Sequence, residues 1–122
     1  MSHQVLPLSF ERVDDRGVFQ EVLNEGHWEA LLRGEMRTGA VMGNHYHRRT
    51  VIFFHLTRGA AQIKTVHVNT GERDEFTLGA GQGVLLRPEE SHAIRFLEDS
   101  EFIMLKSVKY NPQDPDTFPF PV

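Results

Sequence analysis

The chain has 122 residues, 39% hydrophobic and 25% charged, which suits one domain with a buried core but not a second folded unit. The net charge of -4 and the scattered Lys and Arg residues exclude a nucleic-acid footprint, and no apolar run approaches a membrane span. With no cysteine and no signal-like N-terminus, the sequence predicts a soluble, cytoplasmic protein with a single domain over residues 1–122.

Two short strands are predicted near the N-terminus, because an Asp-rich turn closed by glycine, Val13–Gly17, separates two short apolar stretches. The next segment, Glu25–Gly34, is the most helix-compatible part of the sequence, but it is bounded by glycine and is barely two turns long. It is equally consistent with a strand on which Trp28 fills the core.

The remainder of the chain consists of short β-type runs separated by Gly, Asn, Asp or Pro. They cover residues 40–47, 51–56, 62–68, 75–78, 83–87, 93–97 and 101–108. Runs at this spacing, with turn signals between them, are typical of a sandwich or small barrel, so an all-β fold with little helix is expected. The tail of residues 111–122 holds four of the six prolines and is predicted to run extended without adding a central strand.

The first β-type run contains two histidines, His45 and His47, one residue apart. In an extended strand such side chains share one face, so both are predicted to face the interior together with Val41. A third histidine, His92, follows a proline-containing turn. Neutral imidazoles on rigid strands are good ligands for transition metals, so these three would bind one divalent ion and leave positions open for substrate.

His55 is the one polar residue in the apolar run Val51–Leu56. Alternation places Phe53 and His55 on the opposite face from Ile52. We therefore expect His55 and Phe53 to lie on the outer face of the sheet, where two subunits would pair. The alternative is a surface histidine beside a sporadic exposed phenylalanine.

The histidine pattern resembles the two motifs of the cupin superfamily, which are His-x-His followed by a glycine, here Gly59, and a later Pro-x-x-x-His. The chain is most similar to the C-terminal cupin domain of the bifunctional capsular-polysaccharide reductase/epimerase, which helps to make nucleotide-linked N-acetyl-L-fucosamine. A weaker similarity is to the cupin-type 3,4-ketoisomerases of deoxysugar pathways, whose histidines work as acid/base groups without a metal. The stretches that carry the first similarity are Asp15–Gly17 leading to Glu21, Gly43–His47, His67–Val68 before a Thr-Gly-Glu turn, and Tyr110–Pro112 leading to Asp114–Phe118.

The resemblance implies a single jelly-roll barrel, also called a double-stranded β-helix. It also implies a small-molecule substrate, a nucleotide-linked keto-sugar. The usual cupin motif has a glutamate ligand where this chain has Ile52 or, by the alternative offset, Val51. The expected metal ligands are therefore His45, His47 and His92 alone, with zinc as the expected ion and iron, nickel or manganese as alternatives.

Three functions follow from this interpretation. The first is an epimerase or isomerase of surface-polysaccharide or deoxysugar biosynthesis, with Lys64 and Glu90 as candidate catalytic residues and Lys64 as the cation that stabilises an enolate. The second is a non-catalytic accessory or sensor cupin that binds a metal or small molecule, favoured by Ile52 in place of the glutamate. The third is a three-His Fe(II) dioxygenase. A homodimer is expected, formed through the outer face around Phe53 and the proline-rich tail.

Overall fold

Short runs of β-branched and aromatic residues alternate with glycine-containing turns along the chain. The computed structural model describes residue 3 and residues 5–122 and folds these runs into strands. The strands are β1 Phe10–Asp14, β2 Gly17–Glu21, β3 Ala30–Met36, β4 Val41–Tyr46, β5 Ile52–Arg58, β6 Ala60–His67, β7 Arg73–Gly79, β8 Gln82–Leu86, β9 Glu90–Phe96, β10 Ser100–Lys106 and β11 Phe118–Pro119. The predicted all-β class is confirmed, and the segment that was compatible with a helix leads into strand β3.

The strands form two antiparallel sheets and a separate hairpin. One sheet has the order β3-β10-β5-β8, the other has the order β11-β4-β9-β6-β7, and β1 pairs only with β2. Within the described residues, no backbone pairing joins the two sheets, so a closed single barrel stays a prediction. The same part of the chain holds no helix with the length and hydrophobicity that crossing a membrane requires.

The hydrophobic core lies between the inward faces of the two sheets. At its centre are three phenylalanine rings, Phe54 from β5, Phe96 from β9 and Phe102 from β10. Their ring centroids are 4.9 to 6.4 Å apart, and no ring is more than 4% exposed. Aromatic pairs at these distances add to the stabilisation from burial itself.

The N-terminal third contains the predicted hairpin, but Trp28 does not lie where it was expected. The Asp-rich turn does connect two strands, β1 and β2, and every residue of this hairpin is exposed. Trp28, however, is only half-buried, and its indole N–H donates a 2.9 Å hydrogen bond to the carbonyl of Glu25. The prediction that Trp28 fills the core is therefore wrong, because its polar N–H and its neighbouring loop keep it at the surface.

The N-terminal segment is anchored on the sandwich at two points. Leu6 pairs with Gly83 at the edge of β8, and the imidazole of His3 lies between two carboxylates. Its Nδ1 is 2.7 Å from Asp74 and its Nε2 is 2.7 Å from Glu90. The hydrogen bond with Glu90 raises the pKa of His3, with Asp74 adding to the effect, although partial burial opposes it. The side chain of Glu90 is thereby engaged at this end of the fold.

Phe53 and His55 lie on the predicted face of β5 but are not exposed. Ile52 belongs to the core between the sheets, which confirms the alternation. Phe53 is 0% and His55 4% exposed, and a Cβ added at Gly83 on the neighbouring strand would lie 2.6 Å from the ring of Phe53. The expectation that these residues form an exposed pairing face is wrong, because this chain itself buries them. The homodimer stays a prediction, without this face as its interface.

Candidate functional site

A β-bulge in β4 decides which of its side chains face the interior. Gly43 and Asn44 both have positive φ, 101° and 58°, and the register with β9 shifts between Gly43 and His45. The extra residue puts both Met42 and His45 against the interior, whereas Val41 is 53% exposed. The prediction that Val41 faces inward is therefore wrong, because strict alternation does not continue through a bulge.

The three histidines that the motifs predict as one site lie together. His45 and His92 are cross-strand partners on β4 and β9, and His47 immediately follows β4. Their ring centroids are 4.9 to 5.8 Å apart, and one nitrogen of each ring lies within 4.8 Å of the others. The Nε2 atom of His47 and the Nδ1 atom of His92 are buried and have no hydrogen-bond partner among the described residues.

Burial keeps these imidazoles neutral. It lowers the pKa of all three rings, and for His92, where electrostatic repulsion by the neighbouring His45 and His47 adds to burial, the pKa falls to about 3. The charge of Lys106 also lowers the pKa of His45 and of His47. A neutral imidazole has one nitrogen lone pair free, and either a metal ion or a substrate proton can take it.

The histidines open into a cavity of about 170 Å³ between the two sheets. Ile52, at the position of the usual cupin glutamate, lines this cavity and is 3% exposed. No carboxylate is among the described lining residues, so the titratable groups of the cavity are imidazoles and one amine. The other lining residues are Leu32, Met42, Gly43, Ile94, Met104, Lys106 and Thr117.

Lys106 is a cavity residue that the sequence analysis missed. It is half-buried at the end of β10, where Phe102 and Met104 at the preceding alternate positions both belong to the core. Alternation along β10 could have identified Lys106 from the sequence. Side chains two residues apart share one face of a strand, so a lysine in register with two core residues directs its stem inward. The position suits a cation that faces a reacting oxygen.

The two predicted catalytic residues lie outside this cavity. Lys64 is exposed on β6, where it follows the core residue Ile63 and so points to the other face of the sheet. Glu90 contacts His3 and lines a separate cavity of about 570 Å³ near the N-terminal segment. A catalytic role for either residue stays a prediction, and the position of neither supports it.

The proline-rich tail completes the sheet that carries the histidines. Its short strand β11 pairs with β4 through Phe118 opposite Tyr46 and Pro119 opposite His45. The ring of Tyr46, which points away from the cavity, packs against Phe118 and Phe120 at centroid distances of 5.4 and 6.1 Å. Residues 118–119 thus form an edge strand of this chain's own sheet, as expected for the tail, and the contribution of the tail to a homodimer stays a prediction.

Replacing Gly43 with alanine tests the bulge. The new methyl group would collide with the carbonyl oxygen of His92 and would also strain a backbone at positive φ. We expect the free energy of unfolding, measured by urea denaturation, to fall by about 2–4 kcal/mol. Gly39→Ala is the matched control, because Gly39 has a φ of 87° but open space around it, and it should lose only about 1 kcal/mol. Equal losses would contradict the close approach of Gly43 to His92.

Comparison with known proteins places this geometry in context. The model of the polysaccharide biosynthesis C-terminal domain family matches residues 12–118, while no curated protein sequence matches the chain. The capsular polysaccharide assembling protein CapF from Staphylococcus aureus superposes with a TM-score of 0.74 and 28% sequence identity. The match covers 95% of this chain and 35% of that one, so the chain spans about a third of CapF.

Two epimerases share the fold at lower identity. The dTDP-4-dehydrorhamnose 3,5-epimerase from Sulfolobus tokodaii has a TM-score of 0.75 and 20% identity, covering 93% of this chain and 80% of that one. The rmlC epimerase of Mycobacterium tuberculosis has a TM-score of 0.76 and 19% identity, with coverages of 89% and 64%. The resemblance to cupin epimerases that the motifs predict is confirmed.

Proposed function

Because the chain belongs to the polysaccharide biosynthesis C-terminal domain family, we propose that it acts as an epimerase or isomerase on a nucleotide-linked keto-sugar. The observation that carries this proposal is the grouping of three neutral imidazoles and one lysine around a single small cavity. Epimerases of deoxysugars are among the proteins with the same fold, which agrees with this substrate class.

The chemistry needs one base and one group that stabilises negative charge. The keto group makes the neighbouring C–H acidic, and the free nitrogen of a cavity histidine takes this proton as the C–H bond breaks. The electron pair moves to the keto oxygen, and the ammonium group of Lys106 stabilises the resulting enolate. A second proton, supplied by solvent water or by another cavity group on the opposite face of the same carbon, inverts the centre. The base then releases the first proton to solvent, so there is no net oxidation and no loss of atoms.

The same histidines fit a divalent transition metal ion. Their donor atoms lie within 4.8 Å of one another, and two bonds of about 2.1 Å to one ion span at most about 4.2 Å, so only small side-chain rotations are needed. The unpartnered nitrogens of His47 and His92 are available as ligands, and His45 would supply the third. A bound ion would supply Lewis-acid polarisation of a substrate oxygen. Zinc is the expected ion, and iron, nickel or manganese are the alternatives.

Exchange with solvent deuterium tests the proposed reaction. Incubation of the protein with a 4-keto nucleotide sugar in deuterated water should place deuterium on the carbon beside the keto group, detected by mass spectrometry. Lys106→Ala should slow this exchange by about 100-fold or more, because the enolate loses its cation. Lys64→Ala is the matched control and should keep the wild-type rate, since Lys64 is exposed on the other sheet face.

An absence of exchange in the wild type would favour the second function, a cupin that only binds a metal or small ligand. Two observations support that alternative. The cavity of about 170 Å³ is smaller than the roughly 300–1,000 Å³ of typical ligand pockets, and Ile52 replaces the usual acidic ligand. Three neutral nitrogen donors also suit the third function, an Fe(II) dioxygenase, which oxygen uptake with added Fe(II) would reveal.

A further inference from the structure

The C-terminal segment contains a buried carboxylate, Asp116, that is 5% exposed. This carboxylate accepts four hydrogen bonds from the turn that follows His47. Three come from the backbone N–H groups of Arg48, Arg49 and Thr50 at 2.9 to 3.1 Å, and the fourth comes from the hydroxyl of Thr50 at 2.8 Å. Charge-assisted hydrogen bonds of this kind hold two segments in a defined relative position.

The backbone of Asp116 contacts the histidine site directly. Its φ is 49°, and its carbonyl oxygen lies 2.7 Å from Nδ1 of His47. A carbonyl oxygen can only accept a hydrogen bond, so Nδ1 must carry the proton of the neutral ring. The lone pair then belongs to Nε2, which is buried and has no hydrogen-bond partner among the described residues.

We propose that Asp116 is a positioning residue of the three-histidine site, which determines the tautomer and the orientation of the His47 ring. The carboxylate of Asp116 binds the turn of residues 48–50, and the backbone carbonyl of Asp116 accepts a hydrogen bond from Nδ1–H of His47. The use of the Nε2 lone pair, for a metal ion or for a substrate proton, rests on the proposed function. The tautomer of His47 can be measured without a metal ion or a substrate.

A neighbouring aspartate of the same segment provides the matched control. Asp114 makes one ion pair, at 2.9 Å, with the guanidinium of Arg49. Both side chains of this pair are more than half exposed. Removing Asp114 therefore changes the charge of the segment by the same amount as removing Asp116, and it leaves in place the four hydrogen bonds that the Asp116 carboxylate accepts and the one that His47 makes.

The experiment compares the wild type with Asp116→Ala and Asp114→Ala. Long-range proton–nitrogen NMR spectra of the metal-free, nitrogen-15-labelled proteins report the tautomer of His47, assigned with a His47→Gln variant. We expect Nδ1–H in the wild type and in Asp114→Ala, but a mixture of tautomers in Asp116→Ala. Zinc titration should show an affinity about 10–100-fold lower for Asp116→Ala and unchanged for Asp114→Ala.

A wild-type tautomer and wild-type zinc affinity in folded Asp116→Ala would overturn the inference. If that variant does not fold, Asp116→Asn decides by the same two measurements, because an amide keeps the size of the side chain but has no charge and only one acceptor oxygen, so it cannot accept the hydrogen bonds made to both carboxylate oxygens. A wild type that takes up no zinc would contradict the metal part of the proposed function. The NMR comparison would then still test the role of Asp116.

Discussion

Replacing His92 with alanine should abolish stoichiometric binding of a divalent metal ion. His92 is 3% exposed, and one of its nitrogens is buried without a partner, so the imidazole is available to an ion in the cavity. A three-ligand site that loses one imidazole keeps only two, which is fewer than zinc sites in proteins use. We expect His47→Ala to have the same effect. Metal analysis after purification without chelator, followed by zinc titration, measures the stoichiometry.

The control is His27→Ala, which removes an exposed imidazole that does not line the histidine cavity and should leave binding unchanged. A wild type that is metal-free and takes up no zinc would contradict the prediction for the whole site. In that case the histidines would have to act as direct acid/base groups.

Acidification should release the ion, because only the neutral imidazole has a lone pair for the metal. Burial lowers the pKa of His45, His47 and His92 below 6.5, so their neutral forms persist as the pH falls through that value. The ion should therefore be retained at pH 7 and lost only below about pH 6, under the ordinary histidine pKa. For the metal-free protein, the same lowered pKa values mean that stability present above pH 6.5 declines as the pH falls.

Phe54→Ala should lower the free energy of unfolding by about 3–5 kcal/mol, since it leaves a cavity at the centre of the core. Phe54 is fully buried, and its ring centroid lies 4.9 Å from that of Phe102 and 6.4 Å from that of Phe96. A loss of this size is a large part of the roughly 5–15 kcal/mol that typically stabilises a domain.

Phe19→Ala makes the same chemical change on the exposed hairpin, where Phe19 is 61% exposed. It should change the free energy of unfolding by no more than about 0.5 kcal/mol. Urea denaturation of the metal-free proteins measures both variants. Similar small losses would show that the three-ring cluster is not the centre of the core.

Hydrophobic alternation predicted much of the fold and the histidine pair. It identified the β-type runs, the inward face of β5 through Ile52, and the common direction of His45 and His47. It failed at Val41, because Gly43 and Asn44 form a bulge, and a glycine-asparagine pair gives no unambiguous sign of an extra residue inside a strand.

Long-range contacts account for the other differences. Lys64 was the predicted catalytic cation, on the strand that follows Gly59, but alternation along β6 places its side chain on the face away from the cavity. Lys106 is in register with the core residues Phe102 and Met104, but the sequence alone did not show that β10 lies in the sheet that faces the histidines. Alternation also assigned His55 to the correct face, but strand periodicity does not show whether other residues of the chain bury that face.

The dependence of the site on the tail has a consequence for the order of folding. His47 is 69 residues from the carbonyl that holds its ring, and Thr50 is 66 residues from the carboxylate that binds it. Contacts of such high sequence separation carry a large loop-closure entropy, and all-β proteins with high contact order fold in about milliseconds to seconds. The arrangement around His47 is therefore complete only when residues 116–119 have docked beside β4. A chain without that docking would keep the pairing of His45 with His92 but would lose the contact that orients His47.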